Sequence, residues 1–532
     1  MMITIFSKLM LKIRWLAIAF LFISPGGYAQ GKVTSILNTK NGKIEGKISA
    51  NGILVFKGIP YAKPPVGPLR WVAPQPLSNW EGVKTAFEFG PRPVQGSNIL
   101  YEFRSLEMSE DCLYLNVWTN AKTIKERKPV YVFIHGGSFV RGDGSQPAYD
   151  GESMAENDIV YVTINYRLGV FGFLSHPELT RESEFSASGN YGLLDQLQAL
   201  NWIRANISAF GGDPDNITIG GESVGGHSVS AHMSSPLSRG LFARAIVESG
   251  SLLDNRQVIL PQLVSDSMGK NLLKILKVQT LEDARAVSAE ILLKAASKGD
   301  SRRFKPVVDQ YFLKEFPDQT FTKGRQAPVP LLVGWNKDEV PARAFYRIRK
   351  IRPASFRKGV TRIYGEGGQS LIDYYLVNNS SQAKAAGGDL ASSWLINYST
   401  WNLADRHSRS QDVYRYLFDQ PHPGLTLKAM NSGGFFQKLL KRLINKTIKG
   451  SSFHAAEIEY ALGNLPVQKN YDWKPDDYTV SRLMQSYFIN FIRQGNPNGP
   501  DTLGHVNPLW EKIVPGKPQS YLRIGKDTRM ET

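Results

Sequence analysis

A serine in this chain has the neighbours that nucleophilic chemistry requires. Ser223 lies in Gly221-Glu222-Ser223-Val224-Gly225, directly after the apolar run Ile217-Thr218-Ile219. A Gly-x-Ser-x-Gly sequence at a strand-to-helix turn is typical of a nucleophile elbow, where crowding of the backbone favours glycine on either side and the hydroxyl points outward. The same pattern also occurs in ordinary glycine- and serine-rich turns, so the partners of Ser223 must be sought elsewhere in the chain.

A serine hydroxyl needs a general base, an acid that orients the base, and donors for the oxyanion. In one common arrangement these groups follow the order serine, acid, histidine along the chain. Six of the eight histidines follow Ser223, and His227 and His232 are too close to the elbow to reach back over the hydroxyl, which leaves His407, His422, His454 and His505 as candidates. His454 lies in the small-residue segment Gly450-Ser451-Ser452-Phe453-His454-Ala455-Ala456, which suits an imidazole in a cavity. We predict that His454 is the base and that the other three lie at the surface.

The predicted acid is Glu339. It follows the apolar run Leu331-Leu332-Val333-Gly334-Trp335, which is typical of a strand that opens into a loop. Asp338 is the adjacent alternative, and spacing alone does not separate the two carboxylates.

Donors for the oxyanion are predicted at the end of an earlier strand. The segment Phe133-Ile134-His135-Gly136-Gly137-Ser138-Phe139 ends an apolar run with two glycines, whose bare backbone allows amide groups to approach a substrate oxygen. The amide of Val224, next to the serine, is the expected third donor.

Apolar runs alternate with helical periodicity around these residues. We predict, in order, a strand at 128–134, a strand at 159–165, a helix at 193–207, a strand at 217–219, a strand at 243–247 and a late amphipathic helix at 478–493. This alternation predicts an α/β fold with a large, mostly parallel central sheet and helices on both faces. The ligand of such a sheet binds beyond the carboxyl ends of the strands. Residues 255–330 and 340–450 are predicted helical insertions around the entrance.

Composition and charge restrict the function further. The chain has 532 residues, and 42% of them are hydrophobic, which is enough to bury one large core in a single domain over residues 30–532. The formal net charge is +17, and basic residues cluster in 347–362 and in 438–449. The simplest interpretation is solvated helix faces; a weak attraction to anionic surfaces is the alternative. A nucleic-acid partner is not expected, because no binding module is recognised.

The first residues have the pattern of an export signal. Basic residues precede the apolar run Trp15–Ile23, which is too short to cross a bilayer, and Gly27-Tyr28-Ala29 is a small-residue cleavage sequence. We predict a signal peptide over residues 1–29 and a secreted or periplasmic protein. Cys112 is the only cysteine, so the chain has no internal disulfide. No metal-binding or cofactor motif is recognised, and neither group is expected.

Several further motifs resemble one family in the right order. They are Phe56-Lys57-Gly58-Ile59-Pro60-Tyr61-Ala62, Glu110-Asp111-Cys112-Leu113-Tyr114-Leu115-Asn116-Val117, Asn165-Tyr166-Arg167-Leu168-Gly169 and Phe210-Gly211-Gly212-Asp213-Pro214. With the elbow, the chain resembles the type-B carboxylesterase family from Gly42 to Trp510. This resemblance implies an α/β-hydrolase fold and hydrolysis of a small-molecule carboxylic ester.

The resemblance also implies a role for each matching residue. Ser223 is the implied nucleophile, His454 the base and Glu339 the acid; Gly136, Gly137 and Val224 form the oxyanion hole, and Glu222 and Ser249 support the site. The family commonly has alanine where this chain has Val224. It also commonly has an upstream cysteine that pairs with the Cys112 position, where this chain reads Gly90-Pro91-Arg92-Pro93-Val94-Gln95, so we expect a looser loop leading to Cys112. Two alternatives remain: a non-catalytic adhesion protein on the same scaffold, or the same triad acting on amide, thioester or lactone bonds.

Overall fold

A computed structural model describes residues 32–33, 35–96, 102–255, 258–298, 304–346 and 351–532. The predicted signal peptide therefore lies outside the described residues. The strands are β1 (Lys32–Val33), β2 (Leu37–Thr39), β3 (Gly42–Glu45), β4 (Lys47–Ile48), β5 (Leu54–Pro60), β6 (Val83–Thr85), β7 (Arg92–Pro93), β8 (Met108–Ser109), β9 (Tyr114–Thr119), β10 (Lys128–Ile134), β11 (Val160–Ile164), β12 (Gly212–Glu222), β13 (Arg244–Glu248), β14 (Leu260–Pro261), β15 (Val307–Val308), β16 (Leu331–Asn336), β17 (Val413–Phe418), β18 (Tyr521–Ile524) and β19 (Arg529–Glu531).

The α-helices surround this set of strands. They are α1 (Glu152–Glu156), α2 (Gly169–Phe173), α3 (Pro177–Glu182), α4 (Tyr191–Asn206), α5 (Val224–Ser234), α6 (Gln262–Leu276), α7 (Leu281–Ala286), α8 (Ala289–Ala296), α9 (Pro317–Thr322), α10 (Ala342–Tyr346), α11 (Pro353–Tyr364), α12 (Gln369–Tyr375), α13 (Ser380–Ser392), α14 (Tyr398–Ser408), α15 (Leu427–Met430), α16 (Phe435–Ile448), α17 (Ile458–Ala461) and α18 (Pro475–Gln494). Within the described ranges, no helix has the length and apolar character needed to cross a bilayer.

One large mixed sheet dominates the described part of the chain. Its order is β1-β4-β5-β9-β11-β10-β12-β13-β16-β17-β18-β19. The central strands from β11 to β18 are parallel, as predicted, whereas both margins are antiparallel. The sequence predicted the parallel centre from the alternation of strands with helices, and the continuous apolar runs of these strands are typical of strands covered on both faces.

Alternate residues of β10 face two separate apolar cores. Val130, Val132 and Ile134 pack on one side of the sheet, where α4 and α5 cover it. Tyr131 and Phe133 point to the other side, where α18 packs. Because side chains alternate along a strand, one apolar run of valine, isoleucine and aromatic residues fills both layers at once.

The predicted elements differ from the observed ones mainly at their ends. The strand predicted at 128–134 matches β10, and the helix predicted at 193–207 matches α4 within two residues. The strand predicted at 217–219 lies within the longer β12, whose first half is polar and was not recognised. Helix α18 begins three residues before its predicted start at 478, because Pro475 occupies its first turn.

Four neighbouring strands end at the same edge of the sheet. Ile134 of β10 is in register with Gly221 of β12, Glu222 with Glu248 of β13, and Glu248 with Gly334 of β16. The segments after these strands carry Gly136, Ser223, Ser249 and Glu339, so the fold itself brings these residues to one edge, whereas His454 lies in the longer segment after β17.

Candidate active site

Ser223 occupies a sharp turn between β12 and α5. Its backbone has φ 56° and ψ −122°, a conformation that costs energy for a residue with a side chain. The Ser223 N–H donates to the carbonyl of Glu248 at 2.9 Å, which fastens the turn to the next strand. A Cβ at Gly225 would lie 2.0 Å from the carbonyl oxygen of Ile134, so only glycine fits there. The close packing of this turn holds the strained serine at the strand end.

Three predicted residues meet in one hydrogen-bonded row. The Oγ of Ser223 lies 3.0 Å from Nε2 of His454, although the two residues are 231 positions apart. The Nδ1 of His454 lies 2.6 Å from Oε2 of Glu339. When the Nδ1–H group is hydrogen-bonded to the carboxylate, a neutral imidazole presents the Nε2 lone pair to the serine hydroxyl.

The structure separates the two candidate acids. Glu339 is buried and contacts the imidazole. Asp338 is exposed, and its carboxylate accepts from the N–H of Ser452 at 3.0 Å. The Asp338 N–H donates in turn to the carbonyl of Ser452 at 3.0 Å. Asp338 therefore fastens the segment that carries His454 to the loop that carries Glu339.

Two glycines follow β10, and the first of them lies against Ser223. A Cβ at Gly136 would lie 3.2 Å from Cβ of Ser223 and 2.8 Å from Oε2 of Glu222. Gly137 has φ 113°, and its carbonyl accepts from Val140 and Arg141 at 3.1 Å each, which closes a tight turn. Val224 is the first residue of α5, so its N–H has no intrahelical acceptor. Gly136 therefore packs against Ser223, and Val224 follows it at the start of α5.

Gln95 ties the preceding loop to this glycine turn. Its amide donates to the carbonyl of Gly142 and accepts from the N–H of Gly142, both at 2.9 Å. Cys112 is buried and free. The expectation that this loop is looser stays a prediction.

Glu457 is the residue that sequence reasoning missed. Its Oε1 accepts from the hydroxyl of Ser249 at 3.1 Å, and its Oε2 contacts Nδ2 of Asn336. The backbone N–H of Asn336 donates to Oε1 of Glu339 at 2.7 Å. Ser249 thus supports the row through Glu457 and Asn336 and does not touch it directly. The only signal in the sequence was the position of Glu457 three residues after His454.

Buried carboxylates dominate the electrostatics around His454. Burial raises the pKa of Glu222 to about 8 and that of Glu457 to about 7. Burial opposes the charged form of His454, but the negative charges of Glu222 and Glu339 outweigh it and raise the pKa of the imidazole to about 10. The shifts of Glu222 and His454 are linked, because a protonated Glu222 lends no negative charge to the imidazole. The net effect is that the pKa of His454 lies above the ordinary histidine value.

The serine opens into a cavity of about 620 Å³, which suits a small molecule. Its apolar wall comes from the second predicted insertion and contains Leu425, Ala429, Leu440, Ile444 and Ile448. Polar lining residues include Lys441, Glu459, Gln468, Asn470 and Tyr471. The insertion at 255–330 contributes no described residue to this lining. Among the described residues, no cluster of histidine, cysteine or acidic side chains is arranged to hold a metal ion.

The surface prediction for two of the remaining histidines was wrong. His407 is fully buried, and its Nε2 donates to the carbonyl of Val329 at 2.7 Å. His422 is also buried, and its Nδ1 accepts from the N–H of Gly424 at 3.0 Å. Polar or proline neighbours predicted exposure, but elements distant in sequence cover both rings. His505 is exposed, as predicted.

Comparison with known proteins identifies the family. The model of the Carboxylesterase family matches residues 33–532, and the chain belongs to this family. It is 35% identical over 489 residues to the para-nitrobenzyl esterase of Bacillus subtilis, covering 87% of this chain and 90% of that protein. It is 31% identical over 548 residues to an acylcarnitine hydrolase of Mus musculus, covering 95% and 90% of the two chains.

Solved structures have the same fold. A carboxylesterase of Geobacillus stearothermophilus superposes with a TM-score of 0.78 at 31% identity, covering 94% of this chain and 98% of that one. A para-nitrobenzyl esterase superposes with a TM-score of 0.76 at 32% identity, covering 93% and 96%. The protein therefore has the α/β-hydrolase fold and is a carboxylic ester hydrolase.

Proposed function

We propose that the protein hydrolyses small-molecule carboxylic esters through an acyl-enzyme on Ser223. The observation that carries this proposal is the row in which His454 stands 3.0 Å from the serine hydroxyl and 2.6 Å from Glu339. A non-catalytic protein on the same scaffold has no requirement for this geometry.

The first half of the reaction forms the acyl-enzyme. The Oγ of Ser223 attacks the ester carbonyl while Nε2 of His454 accepts the hydroxyl proton. The tetrahedral oxyanion is held by the amides of Gly136, Gly137 and Val224, and one such donor typically contributes about 3 kcal/mol to the transition state. The intermediate collapses, His454 returns the proton to the leaving alcohol, and the acyl group stays on the serine.

Water completes the cycle. His454 accepts a proton from water as the water oxygen attacks the acyl carbon, and the carboxylic acid leaves when the serine recovers its proton. Glu339 keeps the Nδ1 proton in place and stabilises the imidazolium that forms in both halves.

The substrate class follows from the cavity. Its apolar wall from Leu425, Leu440 and Ile444 suits an ester with an apolar acyl or alcohol group. One relative is named a para-nitrobenzyl esterase, and para-nitrobenzyl esters are therefore sensible first substrates.

The test compares the protein with its Ser223→Ala variant on a short-chain para-nitrophenyl ester. We expect kcat/KM to fall by about 10⁵-fold or more in the variant. Ser267→Ala, at an exposed serine on α6, is the matched control and should keep full activity. Comparable turnover by Ser223→Ala, or none by the unaltered protein, would exclude the proposal.

We further propose that residues 1–29 direct export and are removed. Expression with the complete leader should release a mature chain whose N-terminal sequencing begins at Gln30. An intact N-terminus on protein retained in the cytoplasm would contradict this.

A further inference from the structure

Helix α16 exposes four large apolar side chains on one face. The exposed fractions are 77% for Phe435, 82% for Phe436, 49% for Leu439 and 57% for Leu443. Scattered single apolar residues are normal on a surface, but a contiguous group marks an interaction site.

The exposed group continues into the wall of the active-site cavity. At about 100° per residue, the four side chains fall within an arc of about 100° around the helix. The next part of the circumference carries Leu440, Ile444 and Ile448, which line the cavity that contains Ser223. One apolar strip therefore leads around α16 from solvent to the site.

The side of the helix that adjoins this strip is basic. Lys438, Arg442 and Lys446 fall in an arc of about 80° that overlaps the edge of the apolar arc, and Lys449 follows directly after the helix. No aspartate or glutamate occurs in the sequence from Gln420 to Ala456.

The positive charge of α16 is not neutralised. Arg442 donates to the amide oxygen of Asn431 at 3.0 Å, and Lys441 donates to the hydroxyl of Ser432 at 2.7 Å; both acceptors are neutral. In the part of the chain that the structure describes, none of the basic residues of this helix forms an ion pair. The charge remains available for an anionic partner.

We propose that α16 docks on the surface of an anionic lipid layer. The four apolar side chains insert at the boundary of the acyl chains, and the flanking basic residues contact the lipid headgroups. An amphipathic helix with exposed phenylalanine and leucine flanked by lysine and arginine has the composition of an interfacial helix. Docking in this way holds the cavity beside the lipid layer, where apolar esters concentrate. The docking does not depend on turnover.

Vesicle flotation tests the docking directly. The full chain should float with vesicles that contain phosphatidylglycerol and phosphatidylcholine, and much less with phosphatidylcholine alone. Lys438→Gln with Arg442→Gln should weaken binding about 30-fold, since each basic residue near an anionic surface contributes about fivefold. Phe435→Ser with Phe436→Ser should weaken binding about tenfold or more.

Matched controls lie at the opposite edge of the sheet. Lys122→Gln with Lys125→Gln removes the same charge from the exposed loop after β9. Leu503→Ser with Val506→Ser removes comparable apolar surface, because these side chains are 63% and 91% exposed. Neither pair should change flotation.

Three results would overturn the proposal. They are equal binding to both vesicle types, equal losses in the control pairs, and concentration-dependent self-association in sedimentation that the Phe435 and Phe436 changes abolish. Hydrolysis of a soluble para-nitrophenyl ester should stay unchanged in the α16 variants, which verifies their folding. The Ser223→Ala variant should still float, so failure of the catalytic proposal is distinguishable from failure of docking.

Discussion

Glu222 places a carboxylate oxygen 3.2 Å from Nε2 of His454, the same nitrogen that faces the hydroxyl of Ser223. The residue next to the proposed nucleophile in sequence is therefore also a direct neighbour of the proposed base. A carboxylate in this position stabilises the protonated imidazole and couples the two titrations.

This contact predicts the pH dependence of activity. His454 must be neutral to accept the serine proton, so activity rises as pH increases through the pKa of the imidazole. Because Glu222 and Glu339 raise that pKa to about 10, we expect the acidic limb of kcat/KM to have its midpoint above the ordinary histidine value of about 6.5. The midpoint is measured from the profile of kcat/KM against pH, with an ester that does not titrate. A midpoint at or below 6.5 would contradict the assignment of His454 as the base whose pKa is raised.

Removing the charge of Glu222 should shift the acidic limb of the kcat/KM profile to lower pH. Glu222→Gln keeps the size of the side chain but takes one negative charge from beside His454. The pKa of the imidazole then falls, and the acidic limb should move down by about one pH unit. An unchanged limb in this variant, with the protein folded, would show that Glu222 does not act on the base.

Glu457 is predicted to be a positioning residue. Glu457→Gln replaces the oxygen that faces the amide of Asn336 by a second donor, which disturbs the link to Glu339. We expect kcat to fall by about tenfold to a hundredfold with little change in KM, because small displacements of a catalytic row are costly. Steady-state kinetics measure this. Ser249→Ala removes only one donor and should cost less; a Glu457→Gln enzyme with normal kcat would exclude the role.

Gln95 should hold the oxyanion turn in place. Gln95→Ala removes both hydrogen bonds to Gly142, and we expect the free energy of unfolding to fall by about 1–3 kcal/mol and kcat by about tenfold. Denaturant unfolding and ester kinetics measure the two effects.

Gln494→Ala is the matched control for Gln95→Ala. The Gln494 amide, at the exposed end of α18, also donates to two backbone carbonyls of the following loop, at 3.3 Å and 3.1 Å. This variant should keep its kcat. If both variants lowered kcat equally, the effect of Gln95 would not be specific to the oxyanion turn.

The central strands and the turn at Ser223 can be predicted from local sequence, because both depend on residues that are close along the chain. The run Lys128–Ile134 forms β10 because its valines and aromatics suit a strand buried on both faces. Gly225 reveals the elbow because the turn leaves no room for a Cβ. Such features are determined within a few residues and can be predicted from them.

Contacts between residues that are distant along the chain cannot be predicted from local sequence. Glu457 joins Ser249 and Asn336, which lie 208 and 121 positions earlier. His407 has polar neighbours but is covered by the segment that contains Val329, 78 positions away. Nothing near these residues indicates their partners, since the sheet topology brings them together.

The most direct test of the account is to locate the covalent intermediate. The protein is treated with an organophosphate ester that resembles the tetrahedral intermediate, digested, and analysed by mass spectrometry. We expect one adduct per chain, on Ser223, and a large loss of labelling rate in His454→Ala, because the base activates the hydroxyl. An adduct on another residue, or labelling that persists in Ser223→Ala, would contradict the claim that Ser223 and His454 perform the chemistry.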